Sequence, residues 1–333
     1  MVNDELVRFA RDLIDIDSTT GREHEAGTWL AGKLRELGYT VTEQPVERGC
    51  ANILATLDDP VVVFSTHYDC VPPFFSSSLR EGRLYGRGSC DAKGILAAQV
   101  GAAERLQALG ERRVGMLFVV GEERGSDGAV AANAQPLGSK FLINGEPTDS
   151  RLGLATRGNL RVRLRAKGRA CHSAAPEHGE SAIDKLLDAL MYLRTLELPA
   201  EPTLGRTYYT IGLIEGGVAP NVVSPHASAE VMFRIIGSPD EVLQAIAPLK
   251  SLVSIEEVLR VPTVRLQTFE GFEAQVFPFT TDIPLLDRWG TPLLFGPGSF
   301  LVAHTDQEYV DLNEFHAAVD SYERLARMCL EAR

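Results

Sequence analysis

Two hydrophobic rhythms alternate along this chain, and the switch between them divides it. Leu6, Phe9, Ala10, Leu13 and Ile14 recur at helical spacing and predict a first helix with one face inward. A second such stripe, Trp29, Leu30, Leu34 and Leu37, runs to Gly38, a helix stop. Compact apolar runs then predict strands near 39–44, 52–57 and 61–66. An Ala-rich helix is expected over 94–109, with Asp91 at its N-cap. A strand over 114–120, a helix from about 126 and a strand over 141–144 complete an alternating β/α pattern.

The rhythm changes at Leu160-Arg-Val-Arg-Leu-Arg165, where apolar and charged residues alternate as in a half-exposed antiparallel strand. A helix over 181–196, strands over 208–215 and 229–236, a helix over 239–249 and a strand near 255–264 follow. That order, βαββαβ, is the ferredoxin-like unit. After about Arg265 the first style returns, with Pro292–Ser299 as a strand and Gly-rich turn and a last helix over 312–330. The expected fold is therefore α/β. A mixed sheet flanked by helices is built from residues 1–157 and 266–333, and a βαββαβ domain, 158–265, is inserted into it.

Four apolar runs end in groups that bind cations. They are Val61-Val-Val-Phe-Ser-Thr-His67-Tyr-Asp69; Leu84-Tyr-Gly-Arg-Gly-Ser-Cys-Asp91, which ends a short strand and opens a helix; Val114 to Gly121-Glu122-Glu123; and Phe141-Leu-Ile-Asn-Gly-Glu146. In open α/β sheets ligands gather at the carboxyl ends of strands. One His and five carboxylates gathered there repel one another and lose hydration unless cations join them. With His304, beyond the Gly-rich turn, the donor set suits zinc, with cobalt or manganese as other candidates. Two metals about 3.5–4 Å apart need a bridging carboxylate, and Asp91 is the natural bridge. His67, Asp91 and Glu146 are candidate ligands for one cation, and Asp91, Glu123 and His304 for the other. Neighbouring side chains diverge on extended backbone, so one of Glu122 and Glu123 is left to act as a general base on metal-activated water. Asp69 is placed to accept the ring N–H of His67 and fix its tautomer. Arg234, at a strand end, suits a substrate carboxylate. The backbone N–H groups of Gly296–Ser299, including Gly298 and Ser299, form a candidate nest for the same carboxylate.

Composition narrows the field. With 333 residues and 44% hydrophobic content the chain can bury a large core, most simply in two domains. Its net charge of −12 argues against nucleic acid or an anionic membrane as partner. The N-terminus is acidic and amphipathic rather than a signal peptide, and no apolar run spans a bilayer. Five cysteines without CxxC spacing read as reduced thiols of a cytoplasmic protein. Cys70 and Cys90 flank the candidate site as small packing residues, because activated water makes a covalent step unnecessary. Gly86-Arg-Gly88 lacks the third glycine of a dinucleotide fingerprint.

His67-Tyr-Asp69, Gly86-Arg-Gly-Ser-Cys-Asp91-Ala-Lys-Gly94, Gly121-Glu122-Glu123, Gly145-Glu146-Pro-Thr148 and Ala303-His304-Thr-Asp-Gln-Glu-Tyr309 resemble, in order, motifs of the M20 metallopeptidase family. The resemblance implies a zinc-peptidase-like domain with two divalent metals, Glu122 as general base and Glu123 as ligand. It also implies that the inserted domain is a lid used for homodimerisation. Gly168-Arg-Ala-Cys-His172-Ser-Ala-Ala-Pro176 resembles the lid histidine motif, so His172 is expected to stabilise the developing oxyanion, often across a dimer. Gly216-Gly-Val-Ala-Pro-Asn221 resembles a lid segment whose Asn helps bind substrate. Within the family, Gly145-Glu-Pro-Thr148 and Gly296-Pro-Gly-Ser299 most resemble the acetylornithine, acetylcitrulline and acetyl-lysine deacetylases of arginine and lysine biosynthesis. The implied activity is removal of an N-acyl group, acetyl above all, from a small amino-acid substrate. A dipeptidase, tripeptidase or carboxypeptidase of the same family is the alternative reading. A non-catalytic, metal-binding dimeric scaffold is the alternative from another class.

Overall fold

The computed structural model describes residues 3–46 and 49–332. They divide into two compact units, Met1–Leu154 with Leu266–Gln275 and Thr281–Arg333, and Ala155–Arg265 with Val276–Thr280. Helices α1 (Asn3–Ile14) and α2 (His24–Glu36) precede strands β1 (Thr40–Pro45), β2 (Ala51–Thr56) and β3 (Val62–His67). A hairpin of β4 (Ser78–Arg80) and β5 (Arg83–Tyr85) leads to α3 (Lys93–Ala108), then β6 (Val114–Val119), α4 (Asp127–Asn133), β7 (Phe141–Asn144) and β8 (Leu152–Thr156). Next come β9 (Gly158–Lys167), α5 (Ala182–Leu193), the two-residue strands β10 (Ala200–Glu201) and β11 (Gly205–Arg206), β12 (Tyr208–Gly216), β13 (His226–Ile235), α6 (Pro239–Ala245), β14 (Ser254–Val261) and β15 (Val264–Arg265). The chain closes with β16 (Ala274–Phe277), β17 (Thr291–Leu294), β18 (Tyr309–Asp311) and α7 (Leu312–Glu331).

The first unit is built on a six-stranded mixed sheet in the order β1-β2-β6-β3-β7-β17. β3 is parallel to both of its neighbours, His67 opposite Val119 of β6 and Ser65 opposite Asn144 of β7. Three strands therefore end side by side and pointing the same way, which delivers His67, the Glu122-Glu123 turn and Glu146 to one edge. Both faces of this sheet are covered. Val62, Phe64, Met116 and Phe118 pack into one core with α1, α2, α3 and α7. Val63, Leu117, Val119 and Leu142 pack into another with Ala129, Ala132, Leu286 and Trp289. A strand buried on both faces gains nothing from alternation, which is why β3 and β6 show no apolar–charged alternation.

The second unit holds a four-stranded antiparallel sheet in the order β12-β13-β9-β14, with α5 and α6 packed on one face. The other face carries the arginines of β9, paired as Arg163 with Glu230 and Arg165 with Glu256. Here one side meets helices and the other meets water, so apolar and charged positions alternate. Ser181 caps α5 by accepting the Asp184 N–H at 3.1 Å, and the helix ends at Leu193 rather than at the expected 196.

The expected N-cap of α3 is not observed. The helix starts at Lys93 behind Ala92, with no side-chain cap. The Asp91 carboxylate is engaged elsewhere, by two histidines. Gly94 is what allows the close entry into this helix: a Cβ there would lie 2.1 Å from the Ser89 carbonyl oxygen.

Candidate metal centre

His67 ends β3 and is only 1% exposed. Its Nδ1 lies 3.0 Å from the main-chain oxygen of Asp69 and 3.5 Å from the Asp69 carboxylate. A carbonyl only accepts, so Nδ1 carries the proton and Nε2 faces the site. The nearer tautomer-fixing group is thus the Asp69 backbone rather than its carboxylate. That carboxylate is fully buried and braces the next strand end instead. It accepts the N–H of Glu122 at 3.0 Å, the N–H of Glu123 at 3.2 Å and the Thr20 hydroxyl at 2.9 Å.

Asp91 stands between two imidazoles. Its Oδ1 lies 3.0 Å from His67 Nε2 and its Oδ2 3.3 Å from His304 Nε2. His304 Nε2 is in turn 2.9 Å from Glu123 Oε1. The ligand atoms of His67, Asp91 and Glu123 all fall within 4.8 Å of one another. His304 is held there with φ +64°, a left-handed conformation that non-glycine residues adopt at a cost. Glu122 and Glu123 occupy a 3₁₀ turn, not extended backbone, entered through Gly121 at φ +74°. Their side chains still diverge, as neighbours do on such a turn. Glu146 is buried beside His67, Asp91 and Glu122, and its Oε1 has no hydrogen-bond partner among the described residues.

Burial governs the electrostatics of this cluster. Burial pushes Glu122 and Glu146 well above the carboxylate range, and the neighbouring acids push them further. Burial also raises Asp282, to about 6, a tendency only partly offset by a hydrogen bond from Ser126. Burial disfavours the charged forms of His67 and Asp91, yet hydrogen bonds win: Asp69 and then Asp91 raise His67 well above its ordinary value, and His304 and then His67 lower Asp91. Hydrogen bonds to Asp91 and Glu123 lift His304 to about 10. Six carboxyls and two histidines gathered in a buried site thus call for positive charge beside them. Divalent cations relieve the same repulsion directly, and nitrogen and oxygen donors with an unpartnered carboxylate oxygen fit them.

Asp282 and Glu308 escaped the sequence reading. Asp282 is 1% exposed and stands three residues beyond Val276-Phe-Pro-Phe279, a run too short and too interrupted by proline to mark it. Glu308 stands in the Ala303–Tyr309 motif, but nothing in its position there indicates a role. It is fully buried, and its carboxylate accepts the N–H groups of Gly88, Cys90 and Asp91.

The Gly-rich turn differs from expectation. The Gly298 N–H donates to Glu314 at 2.9 Å and the Gly296 N–H to Thr148 at 2.9 Å. With both donors taken, and one by a carboxylate, Gly298 cannot belong to a nest for a substrate anion. Ser299 pairs with Thr148 in an isolated bridge, and its carbonyl accepts the Cys90 thiol at 3.4 Å. Burial raises the Cys70 thiol to about 12 and Cys90 well above its ordinary value, so neither is a nucleophile.

In the second unit His172 and Asn221, far apart in sequence, come together. His172 bridges to Val222, and the Ser173 N–H donates to the Asn221 carbonyl at 3.0 Å. His172 Nδ1 accepts the Ala174 N–H at 3.1 Å, which leaves Nε2 as the donor of the neutral ring. Arg234 lies near the far end of β13 from that segment, on the face away from the helices. It makes no ion pair among the described residues.

Comparison with known proteins meets this geometry. A model of peptidase family M20/M25/M40 matches residues 63–328. A probable carboxypeptidase of Aspergillus clavatus is 35% identical over 378 residues, covering 98% of this chain and 83% of that protein. The crystal structure of aminopeptidase PepT from Bacillus cereus has the same fold, with a TM-score of 0.82 at 20% identity over 99% of each chain. So has that of the YXEP protein of Bacillus subtilis, a dinuclear metal binding peptidase, with a TM-score of 0.74 at 15% identity over 99% of each chain. With the family model covering most of its length and the fold shared from end to end, this chain belongs to peptidase family M20/M25/M40.

Proposed function

We propose that this metal-dependent hydrolase cleaves the amide on the α-nitrogen of an amino acid that keeps its carboxylate free. The observation that carries the reading is the closure of His67, Asp91, Glu123 and His304 within hydrogen-bonding distance, with Glu122 beside them. His67, Asp91 and Glu146 would hold one divalent cation, and Asp91, Glu123 and His304 the second, with zinc as the first choice over cobalt and manganese. The bound metals supply Lewis acidity and a water acidic enough to lose its proton near neutral pH.

The chain's own residues do the rest. Glu122, sheltered and raised in pKa, takes a proton from the attacking water and returns it to the leaving amine. Asp69 holds Glu122 and Glu123 by their backbone N–H groups and so sets the turn that presents them. His172, whose Nδ1 already accepts the Ala174 N–H, would donate from Nε2 to the developing oxyanion, and Asn221 would help bind substrate. Arg234 would take the substrate carboxylate bidentately, and Ser299 would offer its polar atoms to substrate.

Two acyl groups satisfy this scheme. An acetyl group, on ornithine, citrulline or lysine, is the reading favoured by the motifs around Glu146 and Ser299. An aminoacyl group, which makes the enzyme a carboxypeptidase or dipeptidase, is favoured by the name of the Aspergillus clavatus relative. Release of amine from N-acetyl amino acids and from dipeptides, assayed side by side, decides: tenfold or greater preference for the acetyl series supports deacetylation, and the reverse assigns a peptidase. No hydrolysis of either series, with metal bound, would sink the catalytic reading.

We also propose a homodimer through the second unit. β12 is an edge strand with Leu213 and Ile214 exposed, Val218 just beyond it is exposed too, and α5 exposes Ile183, Leu187 and Met191 at helical spacing. An uncovered apolar edge of this kind is a pairing surface. Light scattering that finds a monomer at micromolar concentration would exclude it. The five free thiols suit a reducing compartment, and we assign the enzyme to the cytoplasm.

A further inference from the structure

One buried carboxylate ties together the two loops that meet at the candidate cations. Glu308 follows His304 by four residues, and its side chain is fully buried. One oxygen, Oε1, accepts three backbone N–H groups from a single loop: Gly88 at 2.9 Å, Cys90 at 3.0 Å and Asp91 at 3.0 Å. The other, Oε2, accepts Arg87 Nη1 at 2.5 Å. The backbone of Glu308 joins the same loop, its carbonyl accepting the Gly86 N–H at 3.3 Å, and β18 pairs with β5 next door. No atom of Glu308 is hydrogen-bonded to His67, Glu123 or His304 among the described residues.

A neutral side chain does not reproduce this arrangement. Three N–H groups converging on one oxygen make a small anion-binding concavity of the kind formed by backbone nests. A carboxylate fills it while its second oxygen takes a guanidinium. The amide of Gln can offer its carbonyl to the nest only by turning its NH2 toward Arg87, donor against donor. The loop so held ends at Asp91, whose own carboxylate spans His67 Nε2 and His304 Nε2. We propose that Glu308 is a positioning residue: by gripping the backbone at Asp91 from the loop that bears His304, it sets the bridging carboxylate and the second histidine in register. This inference rests on the reading of Asp91 as the bridging ligand.

The test is zinc titration of the metal-free full-length protein against a chromophoric chelator, with visible spectra of the cobalt-loaded form, on the parent, Glu308→Gln, Glu308→Asp and Val319→Ala. Val319 is buried in the α7 core and serves as a destabilised control. Positioning predicts that Glu308→Gln keeps its circular dichroism but binds one zinc about 10–100-fold more weakly, as losses of supporting groups around ligands do. It also predicts altered cobalt bands, partial recovery of both in Glu308→Asp, and neither change in Val319→Ala. Parent-like affinity and spectrum in Glu308→Gln would overturn the inference. So would a failure of both Glu308 variants to fold, because the carboxylate would then serve the fold and not Asp91. A parent that binds no zinc would instead defeat the reading of the site itself.

Discussion

Replacing Asp69 with Asn changes one atom and removes one charge, yet the structure predicts a large effect on the turn that carries Glu122 and Glu123. The Asp69 carboxylate is fully buried, with one oxygen on the Glu122 N–H and the other on the Glu123 N–H and the Thr20 hydroxyl. Asn keeps one acceptor. Whichever way its amide turns, its NH2 faces a backbone N–H. Thr20 can rotate its hydroxyl to accept, but a peptide N–H has no such freedom. The cost is about 1–3 kcal/mol for one buried donor left unpaired, plus about 1 kcal/mol for the lost charge assistance of the remaining bonds. The total, roughly 2–4 kcal/mol, is a large share of a domain's stability. The turn should also shift, and displacement of a general base by a fraction of an ångström to an ångström costs on the order of 100-fold in turnover. Urea unfolding and kcat on metal-loaded protein measure both. Thr20→Val is the reference, losing about 1 kcal/mol and less than tenfold in kcat. If Asp69→Asn kept kcat within twofold and stability within about 0.5 kcal/mol, the bracing role given to Asp69 would be wrong.

Other changes probe other links. Glu122→Gln should lower kcat by about 100- to 10,000-fold, the usual worth of a positioned proton carrier, while zinc stoichiometry by elemental analysis stays at the parent value. Preserved turnover would reassign the base. Asp282 tests the sign of the burial effect in metal-free protein. Its folded pKa of about 6 lies above its ordinary 3.8, so its contribution is favourable below 3.8 and lost as pH rises through 6. Asp282→Asn, which mimics the protonated acid, should match the parent below pH 4 and exceed it by up to roughly 3 kcal/mol above pH 6. Equal stability of the two at pH 7 would contradict this. Arg234→Ala should raise KM for carboxylate-bearing substrates by at least tenfold with little change in kcat, and a pure kcat effect would remove Arg234 from substrate binding.

The parts of this protein legible in its sequence are those where burial leaves a pattern. β3 and β6 are covered on both faces, so neither alternates apolar with charged positions, and the first ionisable residues at or beyond their ends are the ones that reach the site. β9 has one face on helices and one in water, and its arginines and leucines alternate accordingly. Where pattern is absent the reading fails. β4 and β18 have three residues each, too few for any period. Asp91 sits where a helix cap is expected, but that position does not reveal that two histidines compete for its oxygens. Glu308 is recognised chiefly by backbone N–H groups, which leave no mark in the sequence, and its one side-chain partner, Arg87, lies 221 residues away. Gly298 was assigned to an anion nest because the turn was visible, while the carboxylate of Glu314 that fills it comes from α7.

Anomalous diffraction at the zinc edge, from crystals grown with excess zinc, bears most directly on the convergence of these strand ends. Two peaks about 3.5–4 Å apart are expected, one among His67, Asp91 and Glu146 and the other among Asp91, Glu123 and His304. A single peak, or none within coordinating distance of Asp91, would contradict a dinuclear centre.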